Sequence, residues 1–302
     1  ATLCDAWYTG LNNANREEGA VMAKEIVGII HPGNMGVSVA ASAKAGGHDV
    51  CWASHGRSSE TRARAENVGL RDVGTLAALS DNCSILLSVC PPHAAEVVAD
   101  EVRALGFAGL YLDGNAISPE RVQRVGSRLA ASGVSFVDGG IVGGPAWEPG
   151  QTWLYLAGEG AERVARLFES GPLETTVLGQ EVGQASALKM CYAAWTKGST
   201  ALRSAIVASA SELGVWPDLE VQWERDWPGF PQQSVDRMRR VTAKAWRFAG
   251  EMEEISATFE AAGLPGDFHA GAAKVYRRLA RFKDAREMPS LEDVLGALQD
   301  RP

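Results

Sequence analysis

The stretch Gly183–Lys197, GQASALKMCYAAWTK, carries polar groups on one stripe of an otherwise apolar segment. Read as a helix, it puts Ser186, Lys189, Ala193 and Thr196 on one face, with Tyr192 and Lys197 at the edges of that face. Polar residues on a stripe of an apolar helix must look into a cleft, a partner or water. An ammonium in a cleft can donate a proton. Burial draws a lysine pKa toward the range in which the neutral amine can also act as a base. The alternative for Lys189 is a side chain that snorkels to water or pairs with a carboxylate. Lys197 reads first as a paired or solvated charge, and second as a cation able to hold a carboxylate.

A second chemistry is written in Glu25–Gly36, EIVGIIHPGNMG. A β-branched run, Ile26 to Ile30, meets a Pro-Gly turn and then a helix-compatible segment, Asn34 to Lys44, with another strand at His48–Ala53. That is the opening of a dinucleotide-binding βαβ unit, in which a pyrophosphate rests on the positive helix N-terminus. His31, Pro32, Gly33, Asn34 and Met35 are the candidate contacts; Gly33 lets backbone approach the phosphates, and Gly36 lets helix and strand pack closely. His31 stands where the first glycine of the fingerprint is usual, and reads as a turn residue. After the second strand the chain runs Trp52-Ala53-Ser54-His55-Gly56-Arg57-Ser58-Ser59, then Arg62. With no carboxylate there to accept from a ribose 2′-hydroxyl, Ser54, Arg57 and Ser58 suit the 2′-phosphate of NADP(H). The alternative is that Arg57 and Arg62 are solvated charges. Asn115, just past Asp113, either contacts the nicotinamide or forms a turn.

These groups need elements to hold them. Up to about Gly183, short β-rich runs alternate with helical patterns: Ile26–Ile30, Asp49–Ala53, Ser84–Val89, Leu110–Asp113, Val134–Val137, Trp153–Ala157 and Thr175–Leu178. The alternation predicts an α/β Rossmann domain, a doubly wound and mostly parallel sheet. Beyond it the reading is all-α: one long helix from Gln184 to Leu213, then pieces broken by Pro217, Pro228 and Pro231. Helices at Ser234–Ala262 and Asp267–Phe282 follow, with a short amphipathic tail at Ser290–Gln299. The expected division is an extension over 1–21, a nucleotide domain over 22–182 and a helical substrate and dimerisation domain over 183–302. Met22 reads as a natural start.

Composition excludes several function classes. In 302 residues with a net charge of −8 there is no basic stripe with interleaved aromatics, so no nucleic-acid partner is expected. The five cysteines show no metal-ligand spacing and read as reduced thiols; no metal is expected. No run approaches a membrane span, and the first residues lack the pattern of a signal peptide, so the expected location is cytoplasmic.

The order of these segments resembles the β-hydroxyacid dehydrogenase superfamily, which includes 6-phosphogluconate and 3-hydroxyisobutyrate dehydrogenases and the imine reductases. Four motifs carry the resemblance: HPGNMG; Leu87 to Ala94, LSVCPPHA; Val137 to Gly144, VDGGIVGG, similar to the family's substrate loop DAPVSGG; and Gly183 to Lys189, GQASALK, similar to its GxGxxxK helix start. The C-terminal third, around Lys244–Met252, looks like a less characterised phosphogluconate-dehydrogenase-type domain. The resemblance implies that Lys189 is the catalytic acid/base. It implies that Cys90, Pro91 and Pro92 pass the nicotinamide ribose, and that Gly140, Val142, Gly143 and Gly144 border the substrate. Trp195, Trp246, Arg247, Glu251 and His269 would line the pocket from the helical domain; a packed helix with an Arg247–Glu251 pair is the other reading. Val142 stands where the family has serine, and Tyr192-Ala193 where it has paired asparagines, which leaves Tyr192 as a second catalytic candidate. A small carbonyl or hydroxy compound is therefore the expected substrate of an NADPH-dependent homodimer. Imine reduction and a catalytically silent NADPH-binding sensor or scaffold are the alternatives.

Overall fold

The computed structural model describes residues 24–283 and 285–300; the extension expected at 1–21 lies outside them. The first half alternates β1 (Ile26–Ile29), α1 (Asn34–Ala45), β2 (Asp49–Trp52), α2 (Ser59–Val68), β3 (Arg71–Asp72), α3 (Leu76–Asn82) and β4 (Ile85–Ser88). It continues through α4 (Ala95–Ala104), β5 (Leu110–Asp113), α5 (Pro119–Ala130), β6 (Ser135–Gly143), β7 (Thr152–Ala157), α6 (Ala161–Arg166) and β8 (Glu174–Gly179). The strands form one eight-stranded sheet in the order β3-β2-β1-β4-β5-β6-β7-β8. Only β6–β7 is antiparallel. Side chains alternate across the sheet as strand geometry requires: Val27, Ile29, Leu87 and Leu112 fill one face, and Leu86, Tyr111 and Phe136 the other. The central strands are buried on both sides, the mark of a doubly wound parallel sheet.

Two differences from the sequence reading bear on the site. The segment Val137–Gly144, expected as a loop, is mostly strand, because β6 runs nine residues and pairs with β7 through Gly143↔Thr152. Its glycines leave no Cβ to collide with what packs above them. β3 escaped detection because two exposed residues at a sheet edge show no alternation.

The second half is helical: α7 (Gln184–Ala193), α8 (Ser199–Glu212), α9 (Trp216–Asp226), α10 (Phe230–Arg240), α11 (Ala245–Ala261), α12 (Asp267–Leu279) and α13 (Leu291–Gln299). Its core gathers Met190, Met252, Phe248, Tyr276 and Val294. The long helix expected from Gln184 is present but interrupted by a π turn, Ala194–Gly198, between α7 and α8. The helix expected over Ser234–Ala262 is two. The chain tightens into a 3₁₀ turn at Thr242–Lys244, where the Thr242 hydroxyl donates to the Arg239 carbonyl at 2.7 Å and diverts that group from the helical ladder. Pro217 and Pro231 begin α9 and α10 rather than merely breaking the chain, since a first-turn proline gives up no helical hydrogen bond. No helix among the described residues is long and apolar enough to cross a membrane.

Candidate active site

The turn between β1 and α1 is built for an anion. Gly33 is the N-cap of α1 and no side chain caps the helix, so its first N–H groups have no side-chain acceptor. A Cβ on Gly33 would meet nothing within 4 Å, whereas one on Gly36 would lie 2.1 Å from the His31 carbonyl oxygen. Gly36 is thus demanded by packing and Gly33 leaves open the approach to the helix end. Pro32 is buried, Met35 is partly buried and Asn34 is exposed. His31 is withdrawn from water beside Arg57, and both effects pull its pKa down to about 4; it is a neutral imidazole at physiological pH.

Arg57 turns inward from the loop after β2. It is half-buried, with Nε shielded and unpartnered, and it lies near His31 and Cys90. The two serines beside it have local work: Ser58 caps α2 by accepting from the Thr61 N–H at 3.3 Å, and Ser54 faces the Asp72 carboxylate. Arg62 donates to the Ser54 carbonyl at 2.8 Å. Asp72, at the end of the β3 edge strand, escaped the sequence reading together with that strand. It brings a carboxylate next to Ser54, in the loop after β2.

On the other side of β1 the ends of β4 and β5 are tied by Asn115. Its Oδ1 accepts from the Cys90 N–H at 2.6 Å, its Nδ2 donates to the Ser88 hydroxyl at 3.2 Å, and its own N–H donates to Asp113 Oδ1 at 2.9 Å. Both ends of the amide are engaged within the protein, and Asn115 is buried. It fixes the course of Cys90-Pro91-Pro92. Beneath it, Asp113 Oδ2 and the Tyr111 hydroxyl are buried without a partner. Burial, reinforced by Asp138 on the adjoining strand, raises Asp113 to about 7. Cys90 is likewise pushed up to about 12, mainly by burial and then by Asp113, so it is a thiol and not a thiolate.

Lys189 is held from below by β6. Asp138 on that strand caps α7: one carboxylate oxygen accepts from the N–H groups of Gly183 and Ser186 at 2.9 and 3.0 Å, and the other from the Ser186 hydroxyl at 2.6 Å. Two residues along β6, a Cβ on Gly140 would stand 2.4 Å from the Ala185 carbonyl oxygen and 3.2 Å from Lys189 Cβ, so helix and strand touch there. The Lys189 amine is desolvated and faces Lys197 and Arg247, with Glu251 opposing them; its pKa falls to about 8. Val142 is buried, and Gly143 and Gly144 emerge at the strand end.

The remaining expected site residues differ in exposure and partners. Tyr192 is 48% exposed, Trp195 75% and Trp246 39%; the Trp246 ring carries Lys283 over its face. Glu251 pairs with Lys197 and not with Arg247, which lies against the Phe248 ring. His269 is buried against Phe259 and Phe268.

Residues 26–169 match the NAD binding domain of 6-phosphogluconate dehydrogenase. The chain thus carries a 6-phosphogluconate dehydrogenase-type NAD-binding domain over just under half of its length. Residues 210–279 match a domain of unknown function, DUF1932. An uncharacterised 28.5 kDa protein of Methanothermus fervidus is 28% identical over 165 residues, a match spanning 54% of this chain and 62% of that protein. Among solved structures, a conserved protein of unknown function, MTH1747, described as similar in structure to 3-hydroxyacid dehydrogenases, is 28% identical. That comparison covers 85% of this chain and 98% of the other, with a TM-score of 0.64. The 3-hydroxyisobutyrate dehydrogenase of Mycobacterium tuberculosis, solved with L-serine, has the same fold: 16% identity, 92% and 100% coverage, TM-score 0.65. The first domain is therefore an NAD(P)-binding domain.

Proposed function

We propose that this protein is an NADPH-dependent oxidoreductase that moves a hydride between NADP(H) and a small carbonyl or hydroxy compound, with Lys189 as general acid/base. The observation that carries the reading is the Lys189 amine, drawn down to about 8 on a helix whose N-terminus is bonded to the sheet through Asp138.

The residues present fit the coenzyme. The uncapped N-terminus of α1 and the open approach at Gly33 would take a pyrophosphate, and the half-buried Arg57 with its free Nε would take a 2′-phosphate. When bound, the nicotinamide supplies or accepts the hydride. Lys189 as an ammonium would donate a proton to the substrate oxygen in reduction; as a neutral amine it would remove that proton in oxidation. A pKa near 8 makes both forms available at neutral to mildly alkaline pH. Reduction should therefore weaken as pH rises through about 8 while oxidation strengthens.

The test is absorbance at 340 nm with NADPH and a panel of aldehydes, 2- and 3-oxoacids and cyclic imines, followed by Lys189→Met on whichever substrate turns over. A turnover loss on the order of 10²–10⁴ is expected. Thermal melting at pH 7 should equal or exceed the parent's, since the substitution removes a cation whose burial opposes folding. Near-normal turnover of Lys189→Met would refute the assignment and move it to Tyr192. Turnover confined to the imines would move the reaction to C=N reduction. Binding of NADPH without turnover of any compound would favour the sensor.

A further inference from the structure

The long helix from Gln184 departs from regular geometry at one place, the π turn Ala194–Gly198, and Lys197 is on it. In an unbroken α-helix residue i+8 points about 80° away from residue i, while i+7 points within about 20° of it. A π turn inserts one residue into the ladder. Downstream of it the face of Lys189 passes from Thr196 to Lys197, and then to the buried Thr200 and Ser204. The turn is fixed from outside as well, because the buried Tyr276 hydroxyl donates to the Lys197 carbonyl at 2.8 Å. The Lys197 ammonium is bonded to Glu251 on α11, with side chains only 15% and 12% exposed, and lies 4.6 Å from the centre of the Phe248 ring. A lysine with so many fastenings has a defined place.

We propose that this π turn builds a two-ammonium site in which Lys197, clamped by Glu251, is the positioning residue that sets the protonation of Lys189. The inference rests on the acid/base reading of Lys189 and adds the device that poises it. The charged groups facing the Lys189 amine are Lys197 from its own helix and Glu251 and Arg247 from α11; β6 meets it at Gly140. Two ammonium groups near one carboxylate repel each other. Lys197 is bonded to Glu251, and Lys189, desolvated by burial and then repelled by Lys197, is the amine drawn toward its neutral form. A cation next to a desolvated lysine is a known way of making its amine available near neutral pH.

The two partners push in opposite directions, which separates an electrostatic role from mere packing. In Lys197→Met the carboxylate of Glu251 is left beside Lys189 with no second ammonium, so Lys189 should titrate higher by about a unit or more. In Glu251→Gln both ammonium groups remain uncompensated, so Lys189 should titrate lower. Lys197→Arg, which keeps the charge, should restore a near-parental midpoint. The readout is the ¹³Cε resonance of Lys189 in lysine-labelled protein, assigned by its loss in Lys189→Met and followed over pH with no substrate present. Unmoved midpoints, or Lys197→Met and Glu251→Gln moving the same way, would overturn the proposal. Turnover profiles over pH then test the linked reading separately. If the resonance moves as expected but Lys189→Met still turns over substrate, the two-ammonium site stands and the catalytic assignment fails.

Discussion

Glu251 and Glu254 stand three residues apart on α11 and reach in different directions, one to the long helix and one to the sheet domain. Glu251 holds Lys197. Glu254 accepts from the Ser118 N–H at the start of α5, at 2.9 Å, and is paired with Arg121. Arg121 also donates to Glu96 at 2.9 Å and to the Pro92 carbonyl at 3.2 Å, in the loop expected to pass the nicotinamide. One turn of one helix thus holds Lys197 directly and, through Arg121, the candidate coenzyme loop.

Removing the outer of these two carboxylates should be felt in stability before chemistry. Glu254→Ala leaves Arg121 with one carboxylate fewer and uncaps α5. A loss of about 2–4 kcal/mol is expected for a partly buried pair broken on one side. Urea unfolding should show it as a lower midpoint with an unchanged slope. A midpoint equal to the parent's would mean that the ion pair carries no net stability.

Coenzyme choice should respond to Arg57 and Asp72 in opposite senses. Arg57→Ala should weaken NADPH binding by on the order of 1.5–3 kcal/mol, the range for a charged hydrogen bond, and leave NADH nearly unchanged. Asp72→Asn, which takes a negative charge from beside Ser54, should tighten NADPH relative to NADH. Titration calorimetry with both coenzymes reads each effect, and equal binding of the two by the parent protein would defeat the NADPH assignment.

Asp113 should make stability depend on pH. Its folded-state pKa is raised to about 7, so between about pH 4 and 7 the folded protein holds a proton that the unfolded chain releases. That contribution is complete below the unfolded value and is lost as pH rises through 7. Asp113→Asn cannot lose it. The variant should gain on the order of 2–4 kcal/mol over the parent at pH 8 and almost nothing at pH 4. Calorimetric melting at the two values decides; an equal gain at both would show that the carboxyl is not the titrating group.

A second copy of the chain is the expected cover for the outward side of the long helix. Tyr192, Trp195 and Leu202 are exposed along it, and Trp227 nearby in the helical half, an unusual amount of large apolar surface for a lone molecule. Light scattering at micromolar concentration should give a dimer, and Trp195→Asp should shift it toward the monomer. A parent protein that runs as a monomer ends this expectation.

The β1–turn–α1 unit was legible because strand, turn and helix each leave a local signature, and Gly36 has a steric reason that a fingerprint can encode. The sheet was legible except for β3, whose two residues carry no periodicity. That omission hid Asp72, the carboxylate beside Ser54. The long helix was legible in extent but not in phase, since its π turn is fastened by Tyr276, 79 positions from Lys197 in the chain. Hence the sequence puts Thr196 on the face that Lys197 occupies, and it offers Arg247 as a partner for Glu251 beside the pocket-lining reading. In sequence Asn115 reads as either a ligand contact or a turn residue, because two of its three hydrogen bonds, with Cys90 and Ser88, come from a segment that only the sheet brings alongside.

The capping of α7 by Asp138 has a mechanical consequence. The end of a helix bonded to a central strand is a pivot: when the helical half tilts against the sheet, displacement grows with distance from that point. Lys189 lies three residues beyond Ser186, about 4.5 Å along the axis. It lies close to that anchor, so a tilt of α7 would move it less than residues further along the helix.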